Sequence, residues 1–179
     1  STSRRQRQMC IRDSTISLVS LLSAQGANTP SGSIPFELGT ASRIYVKGSV
    51  NGSRPLRFLF DTGATSMVIS TNSLKGVPME FNETVVNHGA TGSDEVRGST
   101  ENKFTIGGRS LEHVPFIAIP YSPDQWDGVL GLWFIQRQVT EVNYTDRKIY
   151  LYPHGSYTPP ANAIRLKICL LYTSDAADD

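Results

Sequence analysis

The stretch Phe58-Leu59-Phe60-Asp61-Thr62-Gly63-Ala64-Thr65 constrains this chain more than any other. An apolar run with the character of a buried strand delivers a carboxylate into a tight turn. A second apolar run, Met67-Val68-Ile69, leaves that turn. The arrangement holds one acid group at the end of a strand. Gly63 lets the backbone approach closely and offers an N–H to the carboxylate where a Cβ would intrude. The tripeptide Asp61-Thr62-Gly63 by itself is equally compatible with a surface turn in which the aspartate accepts local backbone hydrogen bonds.

The surrounding sequence reads as a succession of short strands. Ile34–Leu38 is a first strand, and residues 43–50 alternate as a half-exposed strand does. Asn51-Gly52 is a strong hairpin turn, because both residues tolerate positive φ, and Leu56–Phe60 returns as its partner. Val68–Ser70 continues as a strand, and residues 73–79 are irregular or a short helical turn. Residues 83–86 and 95–97 flank a Gly-rich segment, His88-Gly89-Ala90-Thr91-Gly92-Ser93, as a second hairpin with a mobile tip. Residues 103–106 and 114–119 form two further strands around Gly107-Gly108. Residues 127–135 read as a buried strand running into a short helix, and 139–144 with 148–152 close the domain as a hairpin. Many short strands and one short helix imply an all-β fold.

The two ends read differently. Residues 4–13 and 169–178 can be back-translated into strings that are reverse complements of each other apart from a one-base offset, and they resemble a sequencing-library transposon adapter. Residues 1–14 and 168–179 are therefore expected to be translated adapter. Cys10 and Cys169 both fall there, which leaves no disulfide, thiol or zinc argument. Without the ends the charge is nearly balanced, 13 basic residues against 12 acidic, so composition makes no case for a nucleic acid or an anionic membrane. No stretch is long and apolar enough to span a bilayer. Residues 15–33 read as the remnant of a signal peptide followed by a polar linker, which points to an extracytoplasmic location. Residues 34–153 are the folded domain. Residues 154–167 are a linker or the start of a further repeat, with 163–167 echoing the opening strand. His88, His113 and His154 show no metal-ligand spacing, and no cofactor or metal is expected.

Three elements occur in order: the acidic turn at Asp61, the Gly-rich hairpin roughly 30 residues on, and Val129-Leu130-Gly131 roughly 70 residues on. Together they resemble the retropepsin-like aspartic peptidase family over nearly all of residues 34–152. Ala64 after the glycine leans toward the retroviral-type, single-lobe branch. The opening Ile34-Pro35-Phe36, the Asn51-Gly52 turn and the closing hairpin look like bacterial, secreted members. The resemblance implies a closed β-barrel or sandwich with a flap hairpin, and an aspartic endopeptidase acting on a peptide or protein substrate. It implies Asp61, Thr62 and Gly63 as the catalytic turn, with the Thr62 hydroxyl locking two turns together across a two-fold axis. Ala64 would keep the site small. His88, Gly89, Ala90, Thr91 and Gly92 would form the substrate-binding flap, and Val129-Leu130-Gly131 would support the turn from behind. Thr65 is expected to tie the turn through its hydroxyl. The chemistry needs two carboxylates and the sequence carries one such motif. The second must come from another copy, as a homodimer, or from a further repeat in the same chain. One departure is Trp133, where many relatives carry Asp or Asn. The runner-up is a catalytically inactive module of the same fold that binds peptide or dimerises.

Overall fold

In the computed structural model of the chain, residues 28–89, 92–121 and 126–166 are described. The adapter segments, most of the leader remnant, Ala90 and Thr91 lie outside them. Ten strands and one short helix follow in order. They are β1 (Gly32–Leu38), β2 (Ile44–Val50), β3 (Leu56–Phe60), β4 (Val68–Ser70), β5 (Glu83–Gly89), β6 (Gly92–Ile106), β7 (Arg109–Ile119), β8 (Gly128–Leu130), α1 (Leu132–Ile135), β9 (Val139–Asn143) and β10 (Lys148–Tyr152). The fold is all-β with one short helix, as the sequence predicts.

The sheet order is β5-β6-β7-β4-β8-β3-β2-β1-β10-β9, and an additional β2–β6 pairing closes it. Closure depends on strands that change partners along their length. The first half of β1 pairs with β10 and its second half with β2. β2 pairs with β3 through Tyr45–Gly48 and with β6 through Gly48–Val50. Gly48 sits where β2 changes partner. A Cβ there would lie 2.7 Å from the Phe104 ring, so only glycine lets the two strands meet over that side chain.

Phe58, Phe104 and Phe116 fill the barrel, each with 1% or less of its surface exposed. Their rings meet at centroid separations of 5.2–6.3 Å, two of the three contacts edge to face, which suits the aromatic quadrupole. β4 and β8 are buried at every residue. That explains their unbroken apolar runs, and both take part in parallel pairs, β3 with β8 and β4 with β7. The Asn51-Gly52 turn adopts positive φ at both residues (50° and 76°), as expected.

Two expectations need correction. The region between 97 and 103 is not a break between strands. β6 runs unbroken through it, with a register irregularity between Ser99 and Asn102. The buried Asn102 side chain stands in for the missing ladder bonds, donating to the Ser99 and Val114 carbonyls at 3.0 Å each and accepting from the Asn51 amide at 2.9 Å. Pro115 lies opposite the irregularity, where its missing N–H costs no ladder bond. Residues 163–166 form no strand. Ile164 and Leu166 are 86% and 78% exposed.

Asp127 locks three strands where the buried β8 begins. Its carboxylate accepts the Arg57 N–H at 2.7 Å and the Arg54 guanidinium at 2.8 Å. Its backbone bonds to Arg57 and Ser70, on β3 and β4. Burial pushes the Asp127 carboxyl upward, but hydrogen bonds from Arg54, from the Arg57 backbone and from Ser73 outweigh it and hold the pKa below the ordinary aspartate value. A depressed pKa means that the contribution to stability is complete above the unfolded value of about 3.9 and is lost as pH falls toward the folded value. The brace thus persists through mildly acidic conditions. Asp127→Ala is expected to destabilise the fold by about 2 kcal/mol at neutral pH, because it strands a buried N–H. Arg54→Ala should cost under about 1 kcal/mol, since half of that side chain is in water. Urea unfolding midpoints of the two variants test both values.

Candidate active site

β3 ends at Phe60, and the chain turns at once through Asp61, Thr62, Gly63 and Ala64. The turn has no internal secondary structure to hold it, and its bonds come from β8 and α1. The Asp61 N–H donates to the Leu130 carbonyl at 3.1 Å, extending the β3–β8 ladder by one residue. The Leu132 N–H donates to the Ala64 carbonyl at 2.8 Å and the Trp133 N–H to the Thr65 carbonyl at 3.0 Å. These are first-turn amides of α1, which have no partner inside the helix. The turn uses the donors that the short helix leaves over. Val129-Leu130-Gly131 does support the turn from behind, as expected.

Gly131 is essential to that contact. A Cβ at Gly131 would stand 2.2 Å from the Ser66 carbonyl oxygen and 2.7 Å from that of Ala64. Gly128, at the other end of β8, would meet the Val68 carbonyl at 2.3 Å. The backbones of the turn and of its support touch directly.

Asp61 is half-buried. Its Oδ1 accepts the Gly63 N–H at 2.8 Å, which fixes the plane of the carboxylate. Thr62, Gly63 and Thr65 are exposed. The Thr65 hydroxyl makes no hydrogen bond among the described residues. Thr65 secures the turn through its carbonyl instead, because the helix amide reaches the backbone first. Thr62 likewise presents its side chain to solvent.

Asp61 and Thr62 line an open groove of about 460 Å³ together with Ala41, Ser42, Arg43, Ile44, Leu59, Phe60, Val142 and Tyr144. Ala64, His88, Gly89 and Gly92 do not line it. Ala90 and Thr91 lie outside the described residues. The segment expected to be a mobile Gly-rich tip is largely strand. β5 and β6 pair as far as His88 with Ser93 and Gly89 with Gly92, and the His88 Nδ1 lies 2.7 Å from the Ser93 hydroxyl. Gly92 has a φ of 138°.

Sequence reasoning did not point to Arg43, Tyr121 or Trp126 as site residues. Both aromatics are only part-buried and stack on each other at 5.6 Å. The Tyr121 phenol is raised above its ordinary pKa, first by burial and then by the negative charge of Asp61, which places it in the field of that carboxylate. Trp133 packs partly on the core and carries the Arg137 guanidinium on its face at 3.7 Å, while its N–H braces the turn. No cluster of three or more metal-ligating side chains occurs among the described residues, and none of their helices is long and apolar enough to cross a membrane.

The family model described as aspartyl protease matches residues 46–134, from β2 through α1, and so takes in the acidic turn, the hairpin and the supporting element. Over these residues the chain carries an aspartyl protease family domain, in agreement with the resemblance read from the sequence. No curated protein matches it. Among solved structures, a retropepsin-like aspartic protease from Rickettsia conorii is similar at 18% identity and a TM-score of 0.49, over 68% of this chain and 91% of that one.

Gly131→Ala tests the contact between turn and support. The backbone on both sides must move, so a loss of about 3 kcal/mol or more in unfolding free energy is expected. Ala64→Gly, which keeps both backbone bonds, should cost under about 1 kcal/mol by the same denaturation measurement.

Proposed function

We propose that this protein is an aspartic endopeptidase whose catalytic pair consists of two Asp61 carboxylates, one from each of two copies. The observation that carries the reading is the state of Asp61: a carboxylate held by its own Gly63 N–H, on a turn braced by α1, at the rim of an open groove. The aspartyl protease family domain supports it.

Two carboxylates brought close together cannot both ionise cheaply, so one proton is shared and the pair titrates as a unit. The charged member takes a proton from a water, which attacks the peptide carbonyl. The protonated member donates to the carbonyl oxygen. The Gly63 N–H orients its own aspartate. Thr62 is exposed beside it, which suits a contact with the second turn. The Tyr121 phenol, with its pKa raised, stays neutral throughout the acidic range in which such a pair works. β5 ends the strand order and leaves one edge unpaired, which suits the β5–β6 hairpin for gripping an extended peptide by strand addition.

Three outcomes are expected in peptide-cleavage assays. Asp61→Asn should lower kcat/KM by about 1,000-fold or more, because it removes both acid and base roles. The pH profile should be bell-shaped in the acidic range: protonation of both carboxyls removes the base, and ionisation of both removes the acid. Specific activity should rise with protein concentration as copies pair. Activity that survives Asp61→Asn refutes the assignment. Peptide binding with no cleavage by the unaltered protein at any concentration would identify a binding module instead.

A further inference from the structure

Arg43 lines the same groove as Asp61, and the backbone just before it is left-handed. Ala41 and Ser42, immediately before it, both have φ of 56°, a left-handed conformation that costs a residue with a Cβ about 1 kcal/mol or more and persists only where the surroundings enforce it. Here the turn is closed on both sides of the strained pair. The Gly39 N–H donates to the Arg43 carbonyl at 2.9 Å and the Arg43 N–H to the Thr40 carbonyl at 3.4 Å. Gly39 also lies against the Tyr45 ring, where a Cβ would come within 2.4 Å. The backbone that aims Arg43 is thus pinned.

The side chain is pinned as well, by an aromatic face and not by a carboxylate. The guanidinium carbon lies 5.6 Å from the centre of the Trp126 ring. The Trp126 ring lies 5.6 Å from that of Tyr121 and 6.4 Å from that of Tyr45, and the Arg57 guanidinium sits over the Tyr45 ring at 3.7 Å. The four ion pairs among the described residues involve Lys47, Arg54, Lys103 and His113, and none involves Arg43. An arginine held on an indole keeps its five donors free for a carboxylate, and its charge is less hydrated than that of a lysine. The Trp126 Nε1 is itself a buried donor without an acceptor among the described residues. Among the charged side chains lining the groove, Asp61 is the one anion and Arg43 the one cation.

We propose that Arg43 is a specificity-determining residue that selects peptides carrying an acidic side chain a few residues from the bond placed at Asp61. The inference rests on the reading that this groove takes a peptide. Successive residues of an extended peptide rise about 3.3 Å, so a groove of this size brings only near neighbours of that bond to Arg43.

The test uses binding, so that it does not depend on turnover. Fluorescein-labelled eight-residue apolar peptides, with Glu or Gln placed at each position in turn, are titrated at pH 6 into the full chain carrying Asp61→Asn. At one position the Glu peptide should bind about fivefold tighter or more than its Gln twin, as a charge-assisted hydrogen bond predicts. Adding Arg43→Gln should bring that ratio to about one, Arg43→Lys should keep part of it, and Arg43→Glu should reverse it in favour of a Lys peptide. A Glu/Gln ratio near one at every position overturns the proposal. So does an Arg43→Gln protein that loses dimer in sedimentation equilibrium with its ratio unchanged, since the guanidinium would then be an interface anchor. If the ratio behaves as stated but the protein with Asp61 intact cleaves nothing, the selectivity stands and the catalytic reading alone fails.

Discussion

Two backbone amides at the start of α1 support everything else in the site. A helix of four residues cannot satisfy its own leading N–H groups, and a loop of seven residues between two strands cannot hold itself. Here each supplies what the other lacks: Leu132 and Trp133 donate, and Ala64 and Thr65 accept. The bonds are main-chain to main-chain, so the side chains of the turn are spared for chemistry. The same contact accounts for Gly131, because two backbones at hydrogen-bonding distance leave no volume for a Cβ.

The barrel makes that contact possible. β8 pairs parallel with β3 on one side and antiparallel with β4 on the other, so the strand leading into α1 runs between the strands that enter and leave the turn. Asp127 anchors the start of this arrangement with a charge partly withdrawn from water but fully hydrogen-bonded. The phenylalanine cluster behind it supplies non-directional burial. The polar ties at Asp127 and Asn102 set the register that burial alone leaves loose. The outcome is a carboxylate with a rigid back and an open front.

Much of this was legible in the residues. Alternation marked the half-exposed strands, continuous apolar runs marked β4 and β8, and Asn51-Gly52 marked its turn, because each of these signals is local. Gly63 offers its N–H to the Asp61 carboxylate as expected, because that contact is only two residues away. The misreadings share one cause: the deciding partner lay far off in sequence. The continuity of β6 through polar residues 98–102 depends on Asn102 reaching Val114 and Asn51. Thr65 has the right hydroxyl for a local bond, but a helix amide 68 residues later occupies its carbonyl instead. Arg43 gave no signal, since its neighbours Ala41 and Ser42 have no intrinsic preference for positive φ.

The amino-acid order by itself determined the all-β class, the family resemblance, and the presence of a single acid at a strand end, because periodicity, turn chemistry and a short motif are all written within a few residues. Only the tertiary structure decided which backbone groups brace that acid, that Tyr121 stands in its field, and that an arginine on an indole shares its groove. Those are meetings of residues tens of positions apart. They are settled by how the sheet closes on itself, which no local stretch of chain encodes.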